Sequence, residues 1–161
     1  MRTHERVTHT PAETEALGEA LGRAARGGEL IGLVGELGAG KTCLVRGLAR
    51  GLGANPDRVH SPSFITVTEY PGGRLPLVHV DLYRLADPLA EELSLREALY
   101  GEGVAAVEWF DRMAAVAGDE YLIVTLRHAG HESRTIRLEA RGGRHERLLE
   151  RALEVSKTAT R

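Results

Sequence analysis

The apolar and polar positions along the chain change period repeatedly, and each change marks a predicted element. Thr10-Pro-Ala-Glu13 has the form of a helix start, with Thr10 as N-cap, Pro11 at the first helical position and Glu13 completing a capping box. The spacing behind it predicts a helix to about Ala25, which Gly27-Gly28 stops. No element is predicted ahead of Thr10. Glu29 to Val34 is a short apolar run of the kind that forms a buried parallel strand. From Thr42 to Leu52 the apolar positions return to helical spacing, and Gly51 and Gly53 mark the far end. Phe64 to Tyr70 and Leu75 to Val80 read as two strands joined by Pro71-Gly-Gly-Arg74 into a hairpin, with Pro76 tolerated at a strand start or edge.

Asp87-Pro88 repeats the cap-then-proline signature and predicts a helix to about Tyr100. Gly101 and Gly103 break it before Val104 to Val107, which reads as a central strand. Tyr121 to Leu126 and Thr135 to Leu138 are two further strands around the polar turn Ala129-Gly-His-Glu132. A closing amphipathic helix is predicted from His145 to about Ser156, with residues 156–161 as a loose tail. Strands alternate with helices, and neither a repeat nor a Pro/Ser-rich linker interrupts them. The expectation is one three-layer α/β domain over residues 1–161 with a mixed central sheet.

Composition narrows the classes. A chain of 161 residues can support one core without disulfides, and Cys43, the only cysteine, excludes both an internal disulfide and a Cys-rich zinc site. No apolar run approaches the roughly 20 residues of a membrane span, and no apolar block or cleavage site follows the charged N-terminus. A cytoplasmic protein with no membrane partner is expected. The net charge of −2 argues against a protein that binds duplex nucleic acid with its whole surface. Lys41 and Lys157 are the only lysines against 19 arginines, so a lysine at position 41 points to a task that arginine does not perform.

That lysine lies in Gly35-Glu-Leu-Gly-Ala-Gly-Lys-Thr42, which matches the P-loop pattern Gly-x4-Gly-Lys-[Ser/Thr] between a predicted strand and a predicted helix, so the expected fold is a three-layer P-loop NTPase-like fold with a mixed central sheet. The glycines let the backbone curl so that N–H groups face phosphates, and the helix N-terminus behind them favours an anion. Lys41 is placed to reach the β- and γ-phosphates from a solvated loop, and the Thr42 hydroxyl to ligate Mg2+. A P-loop enzyme also needs an acidic residue at the end of a neighbouring strand. Asp81 and Glu108 both stand there, where open α/β sheets bind ligands. Asn55 is the only asparagine and no lysine follows it, so the guanine-reading Asn-Lys-x-Asp box is missing and ATP is the expected nucleotide.

Beyond the P-loop, Ser61-Pro-Ser-Phe64, His79-Val-Asp-Leu-Tyr-Arg-Leu85 and Val107-Glu-Trp109 stand in the order and spacing of the bacterial TsaE (YjeE) family, which the chain resembles over roughly residues 10 to 126. The C-terminal part matches only in length and character. The resemblance implies an ATPase required for threonylcarbamoyladenosine (t6A) formation at position 37 of tRNAs that read codons beginning with A. It would act with a TsaD-type transferase and a TsaB-type partner, and reach tRNA indirectly through that complex.

Carried onto this chain, the resemblance gives ATP binding to Leu37, Gly38, Ala39, Gly40, Lys41 and Thr42, and Mg2+ to Thr42 and Glu108. It makes Asp81 a catalytic or switch carboxylate, sets Trp109 beside the nucleotide and makes Ser61-Pro62-Ser63 a loop that senses the γ-phosphate. Ser63 and Cys43 depart from the family's usual Thr and second hydroxyl, and a thiol is the poorer donor to a phosphate oxygen. Weak ATPase activity in isolation is expected, since no arginine is identifiable as a catalytic finger, Arg84 being the nearest candidate. Two other readings use the same loop: a small-molecule kinase, with Arg141-Gly-Gly-Arg-His-Glu-Arg147 as its only lid-like segment, and a nucleotide-gated assembly module.

Overall fold

The computed structural model describes residues 1–36, 38–59, 67–82, 99, 101–110 and 118–159. Its strands are β1 (Arg2–Thr8), β2 (Leu30–Val34), β3 (Val67–Tyr70), β4 (Leu77–Asp81), β5 (Val104–Glu108), β6 (Tyr121–His128) and β7 (Arg134–Arg141). Its helices are α1 (Pro11–Ala24), α2 (Lys41–Leu52) and α3 (Gly143–Ala159). The strands form one sheet in the order β1-β7-β6-β2-β5-β4-β3. β6, β2, β5 and β4 run parallel, while β3 pairs antiparallel with β4, as do β7 with β6 and β1 with β7. The mixed α/β architecture expected from the pattern is therefore present.

Side-chain alternation divides the sheet into two faces. Ile31 and Leu33 of β2, Val104 and Ala106 of β5 and Leu77 of β4 join α1 and α2 residues such as Leu17, Leu21, Leu44 and Leu48, and Leu148 and Leu149 of α3, in the larger apolar cluster. Leu30, Val80, Ala105 and Val107 face the other way, with Leu99 and Phe110. Leu99 is the described member of the predicted helix from Asp87 to Tyr100; the rest of that segment lies outside the described residues.

The helix that carries the glycine loop is set by close backbone contact. A Cβ added at Gly47 of α2 would lie 2.0 Å from the Glu15 carbonyl oxygen, and one at Gly51 would lie 2.2 Å from that of Glu19. Reciprocally, a Cβ at Gly18 or Gly22 of α1 would meet the carbonyl oxygens of Leu44 or Leu48 at 2.2 and 2.5 Å. Each helix thus presents two glycines four residues apart to the other, and their axes approach as side chains would forbid. This pairing was not anticipated from the sequence.

Several boundaries differ from the sequence expectation. β1 was unforeseen: all its residues but Val7 are polar, and it is defined by backbone pairing to β7 rather than by an apolar period. Thr10 caps α1 by accepting from the Glu13 N–H at 3.2 Å, but the Glu13 carboxylate accepts from the His9 N–H, one residue ahead of the capping-box position. A loose tail was expected at 156–161; α3 instead continues to Ala159, with Val155 packed on the core and the Ser156 hydroxyl accepting from Arg6 of β1 at 2.9 Å, and residues 160 and 161 lie outside the described residues. The β3–β4 hairpin is present, but β4 starts at Leu77 rather than Leu75, so its connection runs from Pro71 to Pro76; the turn between β6 and β7 runs from Ala129 to Ser133, closed by Ala129 N–H to Ser133 O at 2.9 Å.

Candidate functional site

β2, buried on both faces, ends at Val34, and the chain then turns through Gly35 to Gly40 into α2. Gly40 has φ 104° and Gly38 φ 77°, left-handed values that glycine adopts without strain. At Gly35 the constraint is space, since a Cβ would lie 2.7 Å from the Leu126 carbonyl oxygen. Gly40 is also the α2 N-cap and brings no side-chain oxygen to the helix end. The first intrahelical bond runs from Leu44 N–H to Gly40 O at 3.0 Å, so the backbone donors ahead of it precede the helical ladder.

Arg134, at the start of β7, braces this loop from outside. Its Nε donates to Ala39 O at 3.0 Å and its guanidinium to Gly38 O at 3.1 Å, while another nitrogen holds Ser133 O at 2.8 Å. In a planar trans peptide the N–H opposes the C=O, so fixing Ala39 O turns the Gly40 N–H to the other side. Sequence reasoning missed Arg134, whose contacts lie about a hundred positions away along the chain.

Lys41 is not in a solvated loop, as had been expected, but only 5% exposed. Its Nζ donates to Gly35 O and lies 3.7 Å from the centroid of the Trp109 ring. The enclosure has a physical cause: the ring covers the ammonium and the curled loop turns a carbonyl towards it. Trp109 is itself unusual, with φ 60° in a non-glycine residue. Its neighbour Phe110 packs against Gly32, where a Cβ would lie 2.3 Å from the ring, and this anchors the turn after β5 beside the loop.

The two carboxylates come together. Asp81 and Glu108 are register partners on the parallel strands β4 and β5, and Leu33 of β2 is the next partner across. Both are buried, and they lie on the sheet face that α2 covers. His79 of β4 is fully buried, with its Nε2 2.5 Å from Glu108 Oε2 and its Nδ1 3.4 Å from the Tyr70 hydroxyl. The sequence assigned no role to His79, because its partner stands 29 residues away.

Thr42 sits at the first turn of α2, half-buried. Cys43 turns towards α1, its thiol donating to Pro11 O at 3.1 Å; burial, aided by Glu15, holds its pKa above the usual value. Leu37, Ser61, Pro62, Ser63, Phe64, Arg84 and Asp87 lie outside the described residues. Among the described residues no three His, Cys, Asp or Glu side chains converge into a metal cage. Mg2+ is commonly held by one or two carboxylates together with nucleotide phosphates, and the hydroxyl and carboxylate oxygens of Thr42, Asp81 and Glu108 are donors of that kind.

The segment Arg141–Arg147, considered as a kinase lid, is the end of β7 and the first turn of α3. Arg144 donates to Gly28 O just before β2, at the opposite end of that strand from the glycine loop. It therefore does not lie over the phosphate loop. No helix among the described residues is long and apolar enough to cross a membrane.

Comparison with known proteins agrees with this arrangement. The model of the TsaE family, threonylcarbamoyl adenosine biosynthesis proteins, matches residues 8–136. The tRNA threonylcarbamoyladenosine biosynthesis protein TsaE of Bacillus subtilis is 40% identical over 143 residues, covering 89% of each chain. The protein of the same name from Treponema pallidum is 37% identical over 132 residues, covering 81% of this chain and 96% of that one. The crystal structure of Bacillus subtilis YdiB superposes with a TM-score of 0.80 at 34% identity, over 98% of this chain and 97% of the other. The chain belongs to the TsaE family.

Proposed function

We propose that this protein binds and hydrolyses ATP with Mg2+ as the nucleotide-driven component of t6A formation at position 37 of tRNAs that read codons beginning with A. It acts with a TsaD-type transferase and a TsaB-type partner in the cytoplasm and meets tRNA through that complex. The observation that carries this reading is the convergence of the glycine loop, Lys41 and the register pair Asp81 and Glu108 at one end of the parallel strands. Family membership supplies the pathway.

On this reading the backbone of Leu37 to Thr42 wraps the phosphates, and the Lys41 ammonium exchanges the Trp109 face and Gly35 O for β- and γ-phosphate oxygens. Thr42 and Glu108 hold Mg2+, which neutralises charge on the phosphate oxygens. Asp81, beside Glu108 in register, orients the attacking water. Trp109 walls the site, and Ser61 to Ser63 sense the γ-phosphate. Turnover by the protein alone is weak and is raised by the partners.

The direct test combines tRNA, a threonylcarbamoyl donor and the two partner proteins with this chain or its Lys41→Ala variant. Modification sustained over many cycles only with the wild-type chain and ATP supports the proposal. Equal yields with the variant contradict it.

A further inference from the structure

Glu108 is one end of a polar chain that crosses three adjacent strands. Tyr70 on β3, His79 on β4 and Glu108 on β5 are 4%, 0% and 3% exposed, and they lie on the sheet face that also carries Asp81 and the larger apolar cluster. Ala106 is the register partner of His79, and its small side chain leaves room for the imidazole to reach Glu108, two residues further along β5. A carboxylate oxygen only accepts, so His79 Nε2 carries the hydrogen of the 2.5 Å bond to Oε2. Tyr70 then stands at the other ring nitrogen and limits rotation of the ring.

We infer that His79 is a positioning residue: its Nε2–H holds Oε2 of Glu108, so that the carboxylate presents Oε1 in one orientation to the metal of the bound nucleotide. The inference rests on the reading of Glu108 as a metal-holding residue. A glutamate at a strand end otherwise samples many rotamers and must be ordered when the metal arrives. Groups that orient a metal-holding side chain typically change metal affinity by 10-fold to 100-fold when removed. A pair that served only to fill the core would affect folding stability and leave metal affinity at the folded site unchanged.

The test uses the full chain with Mn2+ as probe, its binding followed by electron paramagnetic resonance with a saturating non-hydrolysable ATP analogue. Analogue affinity in EDTA is measured alongside. Glu108→Gln and His79→Leu should each weaken Mn2+ by about 10-fold or more, with analogue affinity in EDTA unchanged. His79→Gln, whose amide N–H can stand near the Nε2 position, should stay within about threefold of wild type. If His79→Leu does not fold, His79→Asn replaces it, since the shorter amide cannot reach Glu108 and should also lose affinity. Wild-type Mn2+ affinity in the folded Leu or Asn variant overturns the inference, as does a Gln variant no better than these. Weak binding in Glu108→Gln beside strong binding in His79→Leu removes the inference alone. Wild-type binding in Glu108→Gln removes the metal role of Glu108 and the inference with it.

Discussion

Lys41 concentrates the local chemistry of the site, because a buried ammonium must be satisfied and here meets a carbonyl and an aromatic face. Trp109 is the only tryptophan, so the intrinsic tryptophan fluorescence reports on the surroundings of this one ring. Adding ATP should shift the emission as the ammonium moves to phosphate, and Lys41→Ala should abolish the response. The same variant should lose stability of about 2 kcal/mol, the scale of a desolvated cation–π contact, read from urea unfolding.

A second residue-scale prediction concerns His145. It is buried and accepts the Leu30 N–H at its Nε2, 3.0 Å away, and burial, with Arg144 adding to it, lowers its pKa from 6.5 despite Glu29. A lowered base favours the folded state when neutral. Its contribution is therefore complete above about pH 6.5 and is lost as the pH falls through that value towards the lowered one. Thermal unfolding should show a larger drop between pH 7.5 and 5.5 for wild type than for His145→Gln, whose side-chain oxygen accepts the same N–H without titrating. Asp81, Glu108 and the loop lysine were legible because each stands at a recognisable strand or helix end. His79, Arg134 and His145 were not, since each acts on a partner that only the fold brings near.

Among the elements, the strand–loop–helix unit was legible from the apolar run of β2, the glycine spacing and the return to helical period in α2. The edge strand β1 was not, because backbone pairing at a sheet edge leaves little hydrophobic period. The α1–α2 contact was written in the sequence as Gly18, Gly22, Gly47 and Gly51, but glycines in a helix first read as weak formers rather than as a packing device. Gly47→Ala separates the two readings. Helix propensity alone predicts a gain of about 1 kcal/mol. The 2.0 Å approach to the Glu15 carbonyl predicts instead a net loss on the order of 2 kcal/mol, as overpacking against backbone has no rotamer escape. Chemical denaturation decides by sign.

For the whole molecule, the mixed sheet gathers the glycine loop, the paired carboxylates and Trp109 at one end of its parallel strands, and leaves the Arg141–Arg147 turn at the other. On the proposed reading such a site would hold phosphates and a metal but carries, among its described residues, no arginine aimed at a transferring phosphoryl group, which is why turnover should depend on partners. The decisive measurement is Mg2+-dependent phosphate release by the protein alone and mixed with TsaB- and TsaD-type proteins, for wild type and Glu108→Ala. The account predicts slow release alone, a severalfold or larger rise with the partners, and loss of that rise in the variant. Rapid release by the isolated chain that ignores both the partners and Glu108 would contradict it.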